Sequence, residues 1–195
     1  MVHKSGSRVS EARARLLATA TQIFYAEGLH SVGIDRIVAE AKVTRATLYR
    51  HFASKDDLVV EYLRSVSQLE RALVDKAQGK ALPADKALRA IGKSIAAGIT
   101  SKGFRGCAFL NAAAEYPDVD HPVHKVVLEH REWLLNTVTD LFAQIDEPSA
   151  AAAARHFVML RDGAMASGCL TNSTEVAGTL IDGVEGLLHF RSEPV

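Results

Sequence analysis

Cysteine is nearly missing from this chain: Cys107 and Cys169 are the two among 195 residues. Two thiols cannot make a disulfide scaffold, and such sparing use fits a reducing cytoplasm. Aromatic residues reach only 6%, and the alternation of β-branched and aromatic residues that marks strands is scarce. No apolar run approaches the ~20 residues that span a bilayer. The first 15 residues are basic and polar with no apolar h-region, so no secretory signal is expected. No GxSxG or HExxH motif occurs, and neither cysteine sits in a catalytic signature. An enzyme is therefore not expected, nor is a cofactor.

Hydrophobic residues make up 48% of the chain, enough for a packed core in one large domain or two small ones. The formal net charge is zero, but the charge is unevenly spread. Residues 1–55 hold nine Lys/Arg and four Asp/Glu, a balance of +5, and the remainder carries −5. A basic end on an acidic body is the footprint of a polyanion-binding head.

Alanine and leucine are abundant, and the pattern is helical throughout. We expect an all-α fold of about nine helices. A polar arm over 1–9 carries Lys4 and Arg8, which could follow a minor groove or simply trail in solvent. A first helix runs from Ser10 to Ala26 with Leu16, Leu17, Ala20, Ile23 and Phe24 inward, and Gly28 stops it. A second covers Ile34–Ala41, with Gly33 as its cap. A third begins at Thr44 and packs Ala46, Leu48 and Phe52 inward. Ser54-Lys55-Asp56-Asp57 resembles a capping box opening a fourth helix towards Gly79. Further helices are expected over Ala84–Ile99, Cys107–Tyr116 and Pro122–Ile145, the last capped by Asp120 or His121. An eighth opens at Pro148-Ser149, and a ninth runs to Phe190 from a cap at Ser173 or Thr174.

The segment 31–58, SVGIDRIVAEAKVTRATLYRHFASKDDL, carries the functional signal. Two short helices joined by a tight turn form a helix-turn-helix, whose second helix enters the major groove of DNA. Thr44, Arg45, Thr47, Tyr49, Arg50 and His51 crowd around Leu48 on that helix. The run Val43-Thr44-Arg45-Ala46-Thr47-Leu48-Tyr49-Arg50-His51-Phe52, followed by Lys55-Asp56-Asp57-Leu58 and preceded by Ile23-Phe24, Gly28 and Ile37-Val38-Ala39, resembles the DNA-binding domain of TetR-family transcriptional regulators. Two positions depart from that pattern. Gly33 stands where the family often has Thr or Ser, and Lys42 where it favours Gly. A left-handed conformation at Lys42 costs roughly 1 kcal/mol.

The resemblance implies a DNA-binding domain over 1–55 and a helical effector-binding and dimerisation domain over 56–195. Tyr49 and His51 resemble family phosphate contacts, and Lys55 adds a cation beside free helix N–H groups. Arg45 can read guanine O6 and N7, and the Thr47 methyl can meet a thymine methyl. Thr44 caps the helix and can touch DNA. Arg50 faces either phosphate or water. The family also implies a homodimer through the last two helices, here Ala153, Phe157, Leu160 and Ala164 with Val176, Leu180, Val184 and Leu187, where the small residues Gly183 and Gly186 permit close approach. The alternative is that these stripes face the chain's own core. A small-molecule effector, apolar or aromatic by the composition around it, would meet Phe104, Cys107, Phe109, Leu110, Asn111, Trp133, Phe157 and Met159.

The expected function is a cytoplasmic regulator, a repressor released from a palindromic operator by an effector. The alternatives keep the same head and make it metal-responsive or independent of any ligand. A metal could draw on Asp118, Asp120, His121, His124 and His130, but no two of these histidines stand four apart on one helix, and capping explains the local cluster without a metal.

Overall fold

The computed structural model describes residues 4–78 and 82–189. Among these are nine α-helices and no strand: α1 (Lys4–Glu27), α2 (Ile34–Glu40), α3 (Arg45–His51), α4 (Lys55–Gln78), α5 (Ala84–Ile99), α6 (Ala108–Glu115), α7 (Pro122–Ala143), α8 (Ala150–Ser167) and α9 (Ser173–His189), with a 3-10 turn at Glu147–Ser149. Helix α1 begins inside the expected arm. The side chains of Lys4 and Arg8, and residues 79–81 and 190, lie outside the described residues.

Two compact units emerge. The first comprises residues 4–66 and 111–127, the second 67–110 and 128–189. This division differs from the expected boundary after residue 55. Helix α4 belongs to the head as far as Val66 because Leu58, Val59, Tyr62 and Leu63 are buried there, with the Tyr62 ring 5.8 Å from that of Phe24.

In the first unit, α1 turns Ala12, Leu16, Ala20, Ile23 and Phe24 into a core shared with Ile37, Val38, Leu48 and Phe52. Leu17 is only half-buried. Gly28, at φ +92°, ends α1. Helix α2 ends in a Schellman turn: Val43 N–H donates to Val38 O at 3.0 Å and Lys42 N–H to Ala39 O at 3.2 Å. That motif puts Lys42 at φ +53°, the left-handed conformation a glycine would adopt without a Cβ clash. Helix α3 starts where the Thr44 hydroxyl accepts from Thr47 N–H at 3.1 Å. Helix α4 starts where Ser54 Oγ accepts from Asp57 N–H at 3.0 Å. Asp56 and Asp57 complement its positive end.

In the second unit, α5 packs along α9, and α8 packs against both. Leu88, Ile91, Val138, Phe142, Phe157, Leu180 and Val184 form the middle of the core. Gly183 permits the α8–α9 contact, since a Cβ there would stand 2.6 Å from a Leu160 methyl. Asn172 caps α9, its Oδ1 accepting from Thr174 N–H at 3.0 Å; the expected caps, Ser173 and Thr174, are the first helical residues instead. His121 caps α7, its Nδ1 accepting from Val123 N–H at 3.2 Å, with Pro122 in the first helical position.

Most of the apolar stripe expected at the dimer contact lies inside. Ala153, Phe157, Ala164, Leu180 and Val184 are buried within the single chain, and Leu160, Val176 and Leu187 are partly buried against the same core. The physical reason is α5, whose own apolar face is covered by that stripe. Outward, α8 presents Met159 (67% exposed), Gly163 and Ala166, and α9 presents Gly178 and the expected Gly186, with Leu170 (82% exposed) in the turn between them; the expected Gly183 is turned inward against Leu160.

Candidate functional site

Helix α3 is held to the head by one buried side chain, Leu48. Everything on its opposite face is therefore free to meet a ligand. Arg45, Ala46, Tyr49 and Arg50 are exposed along that face, with Lys42 and Thr44 leading into it. Positions 42, 45, 46, 49 and 50 recur at helical three- and four-residue steps. Ala46 was expected inside; it lies on the exposed face, where its methyl can meet a thymine methyl. The signal was its position, two residues from Leu48 and thus on the other side of the helix.

The expected contact residues differ in how committed they already are. Thr44 and Thr47 pair their hydroxyls at 2.9 Å, and Thr47 is half-buried. Arg45 Nε lies 3.0 Å from Asp35 Oδ1, with both side chains mostly exposed. Such a solvent-exposed pair is easily exchanged for a base edge. His51 is half-buried, its Nε2 is enclosed without a hydrogen-bond partner, and its ring lies edge-on to Phe52. Lys55 Nζ donates to His30 O at 3.3 Å, and burial lowers its pKa. Lys55 thus braces the turn after α1. Among the described residues of the DNA-facing segment, Lys42, Tyr49 and Arg50 are exposed and carry no such tie. Sequence reasoning also missed the flank of α1, where Arg15, Thr19 and Gln22 border a polar cleft that Lys42 shares.

The second unit contains a cavity of about 170 Å³ lined by residues of α4, α5, α7 and α8. Its walls are apolar, with Leu73, Val74, Ile91, Ile95, Trp133, Leu134 and Met165, except where Glu70, Ser94 and Arg161 enter. Arg161 is 4% exposed. Burial works to lower its pKa, but the Cys107 sulfur and the Glu70 carboxylate outweigh that and raise it. The guanidinium meets Cys107 Sγ at 3.2 Å, Asp162 Oδ1 at 3.0 Å and Glu70 Oε2 at 3.5 Å. A charged residue on the otherwise apolar stripe of α8 was the available signal, since 161 follows Phe157 by one turn.

Of the residues expected around an effector, only Trp133 lines this cavity. Phe104 packs on the core margin. Cys107 lies behind Arg161, and Phe109 stacks on His130 with ring centroids 3.6 Å apart. Leu110 is half-buried, Asn111 exposed, Phe157 fully buried and Met159 exposed.

The family description "Bacterial regulatory proteins, tetR family" matches residues 16–62. The crystal structure of a TetR-family transcriptional regulator from Streptomyces coelicolor is 62% identical, covers 94% of this chain and 97% of its own, and superposes with a TM-score of 0.92. The chain belongs to the TetR family. It is thus a DNA-binding transcriptional regulator and not an enzyme. The HTH-type transcriptional regulator YjdC of Escherichia coli is 19% identical over 91% of this chain and 94% of its own. The HTH-type transcriptional activator FasR of Mycolicibacterium smegmatis is 36% identical over 32% of this chain and 29% of its own.

In this TetR-family chain the residues of the metal alternative have separate tasks. His121 caps α7 and lies 3.5 Å from Asp56. His124 Nδ1 meets Tyr116 O at 2.7 Å, and Asp118 accepts from Asp120 N–H at 3.0 Å. His130 Nδ1 pairs with Ser67 Oγ at 3.0 Å. No three potential ligands gather in a metal-holding group among the described residues. Nor is any described helix long and apolar enough to cross a membrane.

Proposed function

We propose that this chain is a repressor that holds a palindromic operator as a homodimer and releases it when a small molecule fills the cavity of the second unit. One observation carries the reading. Helix α4 begins at the Ser54 cap beside the DNA-facing helix and, further along, puts Glu70, Leu73 and Val74 into the cavity wall. A ligand shifts an equilibrium only by preferring one of two shapes. A ligand that favours a shifted α4 therefore disfavours the grip on DNA.

Arg45, Ala46 and Thr47 read base edges in this account, and Lys42, Thr44, Tyr49, Arg50 and, through its remaining ring nitrogen, His51 position the helix on phosphates. Lys55 contributes by bracing the head and by its charge near the backbone. One seven-residue helix reads too few base pairs for specificity, so two copies are needed about one DNA turn apart, ~34–36 Å. The outward faces of α8 and α9 supply the contact. Gly163, Gly178 and Gly186 have open space where a Cβ would stand. Each costs about 0.5–1 kcal/mol of helix stability relative to alanine, a cost offset when a second chain approaches closely. Met159 and Leu170 are the exposed apolar anchors.

The test is a gel-shift titration of the cognate duplex with and without a cavity ligand, paired with a reporter gene downstream of the operator. Repression relieved by the ligand, with weaker duplex binding, supports the proposal. A ligand that binds tightly and leaves duplex affinity unchanged overturns the release step, and a reporter silent without the protein makes the chain an activator.

A further inference from the structure

We propose that the cavity in the second unit takes a neutral, single-ring hydroxylated aromatic molecule, a simple phenol, whose hydroxyl bridges Glu70 and Arg161. This rests on the effector reading above and adds the ligand's chemistry.

Size comes first. An apolar cavity of about 150 Å³ holds benzene, so about 170 Å³ suits one ring with a small substituent. The walls favour a ring over a flexible chain. Trp133 and the Met165 thioether both line the space, and sulfur and indole make favourable contacts with aromatic rings. A rigid ring also has no internal rotamers to lose on binding.

Charge comes second. The polar pole is a pair of opposite charges, not a single sign. A carboxylate ligand would face Glu70, with Asp162 behind Arg161. An ammonium ligand would face Arg161, with Arg71 covering the Trp133 ring at 4.5 Å. Both ions are disfavoured, and a neutral molecule is left.

Hydrogen bonding comes third. The Arg161–Glu70 separation of 3.5 Å is long for an ion pair, where about 2.7–2.9 Å is usual. His130 Nε2 lies 3.3 Å from the same carboxylate oxygen yet makes no hydrogen bond, although it is fully enclosed. Arg161 has one Nη engaged by Cys107 and Asp162, which leaves N–H capacity on the other. The pole therefore offers an unsaturated acceptor beside an unsaturated donor. A hydroxyl both donates and accepts, so it donates to Glu70 and accepts from Arg161 in one placement.

Trp133 is the single tryptophan in the chain and sits in the cavity wall, so its emission reports occupancy directly. The full chain is titrated with p-cresol, toluene, benzoate and benzylamine while Trp133 emission and the melting temperature are followed. We expect p-cresol to bind at least about tenfold more tightly than the other three, the gain expected from one or two hydrogen bonds to charged groups. Glu70→Leu should lower p-cresol affinity about tenfold and leave toluene affinity unchanged. Toluene binding then reports that the variant cavity is intact, and the wild-type series stands without it. Toluene, benzoate or benzylamine binding as tightly as p-cresol, or an indifferent Glu70→Leu, overturns the phenol assignment while the effector reading stands. Failure of all four to alter emission or melting overturns the single-ring assignment, while the effector reading is decided by the operator titration.

Discussion

The carboxylate of Glu115 holds the backbone of Leu29: both of its oxygens accept from Leu29 N–H, at 2.8 and 2.9 Å. The same carboxylate takes His30 N–H at 2.6 Å, and His30 Nε2 meets Glu115 O at 2.7 Å. Next in sequence, Tyr116 OH donates to Asp56 Oδ1 at 2.9 Å, and its ring contacts those of His30 (4.5 Å) and His121 (4.7 Å). The end of α6 thus grips the turn after α1 and the first turn of α4. Burial and the Asp56 contact push the Tyr116 phenol pKa well above its usual value, so the hydroxyl stays protonated and donating throughout the physiological range.

Removing that grip frees two backbone donors. Glu115→Ala should destabilise the first unit by about 1–3 kcal/mol, the cost of leaving the partly buried Leu29 N–H unsatisfied. Amide exchange over residues 28–33 should accelerate, and operator affinity should fall with it. Unchanged exchange at Leu29 and His30 would show that the carboxylate is not what holds the turn.

Lys42 offers a separation of stability from binding. Its φ of +53° is strained for a side chain, so Lys42→Gly should stabilise the fold by about 0.5–1 kcal/mol. The same substitution removes a cation from each protomer, and the loss of one phosphate contact per half-site should reduce the slope of log affinity against log salt for the dimer by about 1.8. A denaturation curve and a salt titration check the pair. Equal salt slopes for the two proteins would remove Lys42 from the phosphate contacts.

Arg45 and Tyr49 should fail in different ways. Arg45→Ala should cost about 1–3 kcal/mol on the cognate duplex and much less on a scrambled one, because a bidentate base contact is lost. Tyr49→Phe should weaken both duplexes alike. Titration of the two duplexes at one salt concentration distinguishes them, and equal losses for Arg45→Ala would place Arg45 on the backbone.

The two faces of the α8–α9 pair should also separate. Gly163→Arg puts a bulky charge on the outward face and should give folded monomers by sedimentation, with operator binding lost. Leu180→Ala acts inside the fold and should cost about 2–5 kcal/mol of stability through the cavity it leaves. A Gly163→Arg protein that sediments as an unaltered dimer would move the interface elsewhere.

Much of the head was legible because its signals are local. Thr44 caps α3 as its hydroxyl and spacing imply, and the apolar steps of α1 mark its buried face. Lys42 adopts the left-handed turn that its place in the helix-turn-helix requires. Ala46 was misplaced because the helix is short and an alanine carries little directional information. The long-range ties were not legible. Nothing local to Glu115 points to Leu29, 86 residues away. The same holds for the stripes of α8 and α9: periodicity says that a face is buried and not against what. Here α5 covers most of it, and the outward face carries Gly163, Gly178 and the expected Gly186, glycines that no packing inside the chain requires. Glu70 and Arg161 were visible as charges but not as partners.

The most direct test of the account is selection of bound duplexes from a random pool with the purified full chain. The prediction is enrichment of one twofold-symmetric motif whose half-sites lie about one DNA turn apart, ~34–36 Å, with the enrichment lost for the monomeric Gly163→Arg protein. A folded protein that enriches no motif at modest ionic strength would contradict the account at its root, and a single unpaired half-site bound by monomer would contradict the pairing.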